Sequence, residues 1–405
     1  MVWRYKTKHN PALCKGWVTI AAVVGVTLPW LWLRFSGWHG DPLAVSLLSG
    51  LSILAAAFLL SWAAEVAQVE IPASLALAVL ALISILPEYA VDMYFTWMAG
   101  KDLHYAGYAA ANMTGANRLL VGFGWSTVVL VSWLRVRRPS VAIEREQSTE
   151  MTFLALATIW AFSIPLRRQI GTIDFAVLFP LFAFYVWRAS RAAHEEPELT
   201  GPPVVVSLLP RNWRRAVTAG LFLHAALVIV ASAEPFSEGL VHTGKKLGID
   251  EFLLVQWLAP LASEAPEFLV ATLFALRGNP SLGLGALISS LVNQWTLLVA
   301  MMPLVFSISA GKVGGLPLDQ RQVTEVFLTA AQSAFALMVI LNFEMLTWEA
   351  LGMMGLFLMQ LFFPNPVVRS GFGFLYLGLM LVLILKDRSR LGNLWRLVRN
   401  QPRTE

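Results

Sequence analysis

Glutamate follows proline twice inside apolar sequence, half a chain apart. The stretches are Ser84-Ile85-Leu86-Pro87-Glu88 and Ser263-Glu264-Ala265-Pro266-Glu267. A carboxylate at membrane depth is costly, so one found there marks a candidate functional site. Proline removes a backbone donor and predicts a helix break with freed carbonyls at that depth. Acidic groups on broken helices, in matching places of two halves, point to a transporter's substrate site. Ca2+ takes about 6–8 oxygens from carboxylates and carbonyls. Glu88 and Glu267, with the freed carbonyls, suit that demand; the plain alternative is that each only caps a kinked helix end.

Further residues gather around these two. Asp92 lies one turn after Glu88 on the same face, and Glu264 lies three residues before Glu267. Either serves as an extra ligand or a proton carrier, or as a water-facing group at a cavity mouth. Ser84, Ser263, Asn112, Asn117, Ser290 and Gln294 offer neutral oxygens, although small and amide residues also pack membrane helices together. A one-residue choice of register leaves open whether Asn293 or Gln294 faces the site. Arg118 opposes a divalent-ion site, because a guanidinium keeps its charge and repels the ion. Three readings stand for it: a pair with Asp92 or Glu88, a stand-in for a bound cation, or a side chain that snorkels away.

The elements that must position these groups are membrane helices. Of 405 residues, 57% are hydrophobic and 14% charged, and the mean hydropathy is +0.64. A soluble chain carries about 25% charged residues. The single Cys14 excludes a disulfide framework. Six scattered His form no metalloenzyme motif, and no nucleophile–base pair stands out, so an enzyme is not expected. The net charge of +5 lies in loops and tails, which predicts topology and no nucleic-acid partner. The expected partners are the lipid bilayer and transported cations, with no bound cofactor; the oligomeric state is left open.

Apolar stretches long enough to span a bilayer lie near 17–35, 44–66, 72–99, 105–134, 151–166, 172–190, 214–240, 251–276, 282–307, 322–343, 346–363 and 370–386. With both termini inside, twenty Arg and Lys fall on the cytoplasmic side and nine on the other, Arg369 among the nine. A cell-membrane protein with cytoplasmic termini follows. The polar, Pro-rich stretch 191–213 divides the chain.

Each half repeats one order of events. A helix ends in an acidic stretch, at Glu65 and Glu70 or at Glu234 and Glu238; an apolar helix broken at Pro-Glu follows. Then comes a Gly turn and a helix rich in small and amide residues, 109–117 and 285–294. Five spans per half, an odd number, invert one half relative to the other. The expected fold is all-α: two inverted five-helix repeats plus about two extra transmembrane helices. The boundaries are 1–43 for the tail and first helix, 44–190 and 214–363 for the repeats, 191–213 for the linker, and 364–405 for the last helix and basic tail.

The Pro-Glu steps, the small-and-amide helices and the run from Glu238 to Glu267 resemble the sodium/calcium exchanger, or cation/calcium antiporter, superfamily. Its repeats carry Gly-Thr-Ser before Pro-Glu and a Gly-Ser-Asn helix after it. Here Ile83-Ser84-Ile85 and Ala262-Ser263-Glu264 stand in the first place, and Asn112-Met113-Thr114 and Ser290-Leu291-Val292 in the second. The resemblance implies a divergent secondary-active cation antiporter. Sodium/calcium exchange by alternating access comes first, and a proton-coupled antiporter or a non-transporting scaffold is the alternative. It also implies that the helices 44–66 and 214–240 slide against the core.

Overall fold

The computed structural model describes residues 11–69, 86–191, 199 and 201–399. Its helices are α1 (Pro11–Phe35), α2 (Pro42–Ala67), α3 (Leu86–Ala99), α4 (Tyr105–Leu119), α5 (Ser126–Val136), α6 (Ser148–Ala161), α7 (Ser163–Arg167), α8 (Thr172–Ala189), α9 (Pro202–Ser207), α10 (Arg211–Leu247), α11 (Glu251–Arg277), α12 (Pro280–Asn293), α13 (Val299–Ala310), α14 (Gln320–Ile340), α15 (Thr347–Phe362), α16 (Pro366–Lys386) and α17 (Ser389–Arg399). Four short strands join them: β1 (Ser140–Ala142), β2 (Gln169–Ile170), β3 (Leu316–Pro317) and β4 (Glu344–Leu346). Among the described residues, ten helical segments are long and apolar enough to cross a membrane. The expected spans 72–99 and 346–363 correspond to α3, whose described part begins at Leu86, and to the 16-residue α15.

The strands settle the orientation of the halves. β1 pairs antiparallel with β4, and β2 with β3. The crossing segment Arg145–Arg167 runs from β1 to β2, and α14 runs from β3 to β4. Each ladder holds its two strands on one face, so these two segments must run in opposite directions. They are the fourth members of their repeats. The repeats α2–α8 and α10–α15 are therefore inverted, with α1 and α16 outside them.

Each repeat also turns its third helix through one π segment, Leu120–Trp125 after α4 and Gln294–Leu298 after α12. Such segments are rare and cluster at functional positions. The expected break at Pro266 does not occur. α11 continues from Glu251 to Arg277 with Pro260 and Pro266 inside it. Each proline deletes one rung, which frees the carbonyls of Gln256 and Ala262 without ending the helix. The rest of the turn is held because α11 packs between α4 and α12. Gly115 of α4 sits against the freed Gln256 carbonyl, where a Cβ would overlap the oxygen.

Two apolar clusters organise the packing. One takes residues of α2, α10 (Phe236, Leu240, Val241) and most later and earlier core helices. The other joins Ile20, Leu59, Val66, Val205 and Val228, from α1, α2, α9 and α10. The long pair α2 and α10 thus belongs to the main core at one end and to a separate bundle at the other. At the core end Asp41 accepts from Leu43 N at 3.0 Å and pairs with Lys246, which holds its carboxyl below the usual range. Leu223, Val230, Phe374 and Leu385 lie exposed, as lipid-facing residues do.

Gly115→Ala should lower the unfolding free energy by roughly 1–3 kcal/mol, because the α4 and α11 backbones must separate. Gly352→Ala, which meets nothing within 4 Å, should be neutral. Thermal unfolding of both variants in detergent checks this; equal midpoints would contradict the close approach.

Candidate cation-binding site

α3 carries Glu88, Asp92 and Thr96 at four-residue spacing, so all three occupy one face, and all are buried. α11 brings Ser263, Glu264 and Glu267. α4 brings Asn112 and Asn117. Ser290 and Asn293 come from α12, and Gln294 opens the π segment after it. These pieces converge between the repeats.

The Gln294 amide nitrogen donates to Glu88 Oε2 at 3.1 Å and to Glu264 Oε1 at 2.8 Å. One neutral side chain therefore bridges carboxyls from the two halves, and Gln294, of the two open choices, faces both of them. Glu264, Asp92 and Glu267 surround Glu88. Asn112 faces Asp92, and Ser290 lies beside Glu267, neither completing a hydrogen bond. The other oxygen of Glu88, that of Glu264, both of Asp92, and those of Asn112, Asn117, Ser290, Asn293 and Gln294 are buried without a hydrogen-bond donor.

A buried acceptor left without a donor costs about 1–3 kcal/mol. Two like charges 4 Å apart repel by about 4 kcal/mol at an effective dielectric near 20. The arrangement calls for neutralisation, by protons on the carboxyls or by a cation. Oxygen-only donors suit a hard cation such as Ca2+. Among the described residues, no three His, Cys, Asp or Glu side chains already stand at metal-ligand spacing. A cation here would draw on amide and hydroxyl oxygens as well, or pull the carboxyls closer.

The remaining expected residues are placed less evenly. Ser84 lies outside the described residues. The Ser263 hydroxyl turns back to its own helix, donating to Ala259 O at 3.2 Å and Pro260 O at 3.3 Å. It is spent on the preceding turn of its own helix and not on the carboxyls. The Asn117 amide nitrogen is spent on Met113 O at 2.9 Å, which leaves only its oxygen. Glu267 is partly exposed at the edge of the group.

The chain matches the family model described as sodium/calcium exchanger protein over residues 42–190 and 217–364. It belongs to the sodium/calcium exchanger family. No curated protein matches it. Among solved structures this exchanger is similar to the "H+/Ca2+ Exchanger CAX", with 44% identity over 96% of this chain and 98% of the other and a TM-score of 0.92. It shares its fold with the Ca2+/H+ antiporter YfkE, at 14% identity, 86% and 98% coverage and a TM-score of 0.61. The same holds for the sodium-calcium exchanger NCX_Mj, at 17% identity, 78% and 96% coverage and a TM-score of 0.52.

Two features of the exchanger escape a reading of its sequence. Thr96, buried with its hydroxyl unpartnered, extends the Glu88–Asp92 stripe by one turn. The four-residue spacing was the available signal. Arg118 takes none of the three expected roles. It pairs with Glu325 at 2.7 Å and stacks on Trp257, and both charges are buried. Glu325 also pairs with Arg369, which is no loop residue but fully buried on α16. Neither partner of Arg118 is near it in the chain, so spacing gave no hint.

Gln294→Leu should lower the stability of the cation-free protein by roughly 1–3 kcal/mol, since two carboxyls lose their shared donor. Thermal unfolding in chelator tests it. A wild-type midpoint would mean that the bridge does not form.

Proposed function

We propose that this exchanger moves Ca2+ across the membrane against protons, through one site that faces each side in turn. The observation that carries the reading is the bridge from Gln294 to Glu88 and Glu264. It joins carboxyls of two inverted repeats in a buried, oxygen-lined place, where a shared cation can replace the shared amide. The 44% identity to a protein described as an H+/Ca2+ exchanger favours protons as the counter-ion. So does the chemistry: four carboxyls can each take a proton, while the two hydroxyls of Gly-Thr-Ser are thinned to one before each Pro-Glu step, Ser84 and Ser263. Asp92 and Glu264 are then ligands or proton carriers beside Glu88 and Glu267. An empty, unprotonated site keeps its charge and does not cross, and that couples the two ions.

We place both termini in the cytoplasm and the protein in the cell membrane, on the twenty-to-nine bias of Arg and Lys. At the outer end Tyr94 and Tyr105 each donate to Glu238 Oε1 at 2.7 Å, which ties α3 and α4 to α10. Phe236 and Leu240 of α10 join the main core at that end, while its inner half packs in the separate bundle. Glu238, in the acidic stretch of α10, is thus an acceptor between the parts that must move.

Radioactive Ca2+ uptake into proteoliposomes tests the function. A pH gradient should drive it, a Na+ gradient should not, and Glu88→Gln or Glu264→Gln should reduce it at least about a hundredfold. Because protons and Ca2+ compete for the same oxygens, KM for Ca2+ should rise as the pH falls. Flux driven by Na+ alone would reassign the counter-ion; no flux from folded protein would sink the reading. The double variant Tyr94→Phe, Tyr105→Phe should raise the outward-open population. Labelling of a cysteine placed near Tyr94, in a Cys14→Ser background, reports it. Unchanged labelling would remove the clasp.

A further inference from the structure

Behind the carboxyl group lies a second buried charged cluster, and its charges do not balance. Arg118 and Arg369 share the single carboxylate of Glu325, and all three are fully buried. Gln256 of α11 donates to Glu325 Oε2 at 3.0 Å and accepts from Arg369 at 2.9 Å. It also donates to Thr114 of α4 at 3.3 Å. Gln360 accepts from Arg118 at 3.4 Å and donates to Tyr376 at 2.6 Å, and Trp257 covers the Arg118 guanidinium. The groups that face the arginines from α11, α14, α15 and α16 thus supply one negative charge against two positive ones.

Burying an unpaired charge costs several kcal/mol, and a helix pin alone needs only one arginine per carboxylate. The second arginine has an electrostatic consequence instead. Gln256 lies eight residues before Glu264 on α11, and Thr114 two residues after Asn112 on α4. A rise of 1.5 Å per residue puts the Gln256 end of the cluster roughly 12 Å along α11 from Glu264.

We propose that the surplus positive charge of Arg118, Glu325 and Arg369 is an electrostatic counterweight that limits how tightly the site holds a divalent cation. This rests on the cation-site reading above. At 12 Å and an effective dielectric near 20, one surplus charge weakens binding roughly tenfold per unit of cation charge. A divalent ion feels it twice. Four carboxyls with no counterweight would hold Ca2+ tightly and release it slowly, because affinity among related sites is set mostly by the off-rate. Arg118 and Arg369 act here as positioning and tuning residues, not as ligands.

Calorimetric Ca2+ titration of the purified full chain, together with flux, tests this. Arg369→Gln leaves one arginine on Glu325, and Gln256→Glu adds a carboxylate to the cluster; each brings the surplus to zero. Both should tighten the Kd for Ca2+ by tenfold or more, and KM and kcat should fall together. Arg369→Lys, which keeps the charge, should restore the wild-type Kd. Mere structural damage would lower kcat without tightening the Kd. Folded variants with an unchanged Kd would overturn the counterweight and leave the site standing. Failure of both neutralising variants to fold would overturn it too, since the cluster would then be a structural pin. A wild-type chain that binds no Ca2+ would sink the site itself, and the counterweight with it.

Discussion

Four carboxyls meeting in a medium of low dielectric cannot all stay charged without something positive among them. Glu88, Asp92, Glu264 and Glu267 stand in that position. Much else in the fold answers to it. The Gln294 amide holds two of them together, and the surrounding amides and hydroxyls leave their oxygens unspent. A soluble protein would dissolve the problem with water; a bilayer cannot, so a mobile ion or proton must supply the charge. The feature that makes the cluster costly is the one on which its proposed role as a carrier's site rests.

The same cost is met differently a few turns away. Glu325 is as buried as Glu88, yet it has two guanidinium partners. Its carboxylate is satisfied permanently and has no need of cargo. Glu88 and Glu264 have only a neutral amide between them. Fixed guanidinium partners in one place and none in the other separate the two clusters, although both place buried carboxyls on membrane helices. Their proximity along α4 and α11 makes the first able to influence the second.

Inversion of the repeats builds the site and also limits how it can move. The β1–β4 and β2–β3 ladders tie the repeats to one another on opposite faces, so the segment Arg145–Arg167 and α14 are pinned at both ends. The α2–α10 pair is held otherwise. One end joins the core through apolar packing and the Glu238 acceptor, and the other packs with α1 and α9. Stiffness in the core and divided loyalty in the pair are what alternating exposure of a single site requires.

Much of this was legible in the chain itself. Composition implied a polytopic membrane protein, because apolar segments of spanning length have no other stable setting. The two Pro-Glu steps, with Asn112 and Ser290 at nearly repeating offsets and Asp92 and Glu264 one turn away, marked the carboxyl cluster, because helical periodicity carries local spacing directly into shared faces. Odd span numbers per half implied inversion. Tertiary structure decided the rest. Pro266 was expected to break its helix, but neighbours on both sides hold α11 together through the lost rung. Arg118 finds Glu325, and Glu325 finds Arg369, across separations of 207 and 44 residues that no local pattern encodes. Gln294 outranks Asn293 at the site because the packing of the helices brings its amide, not that of Asn293, onto Glu88 and Glu264. A sequence states which charges the membrane must accommodate; only the folded helices determine which of them become partners and which are left for an ion.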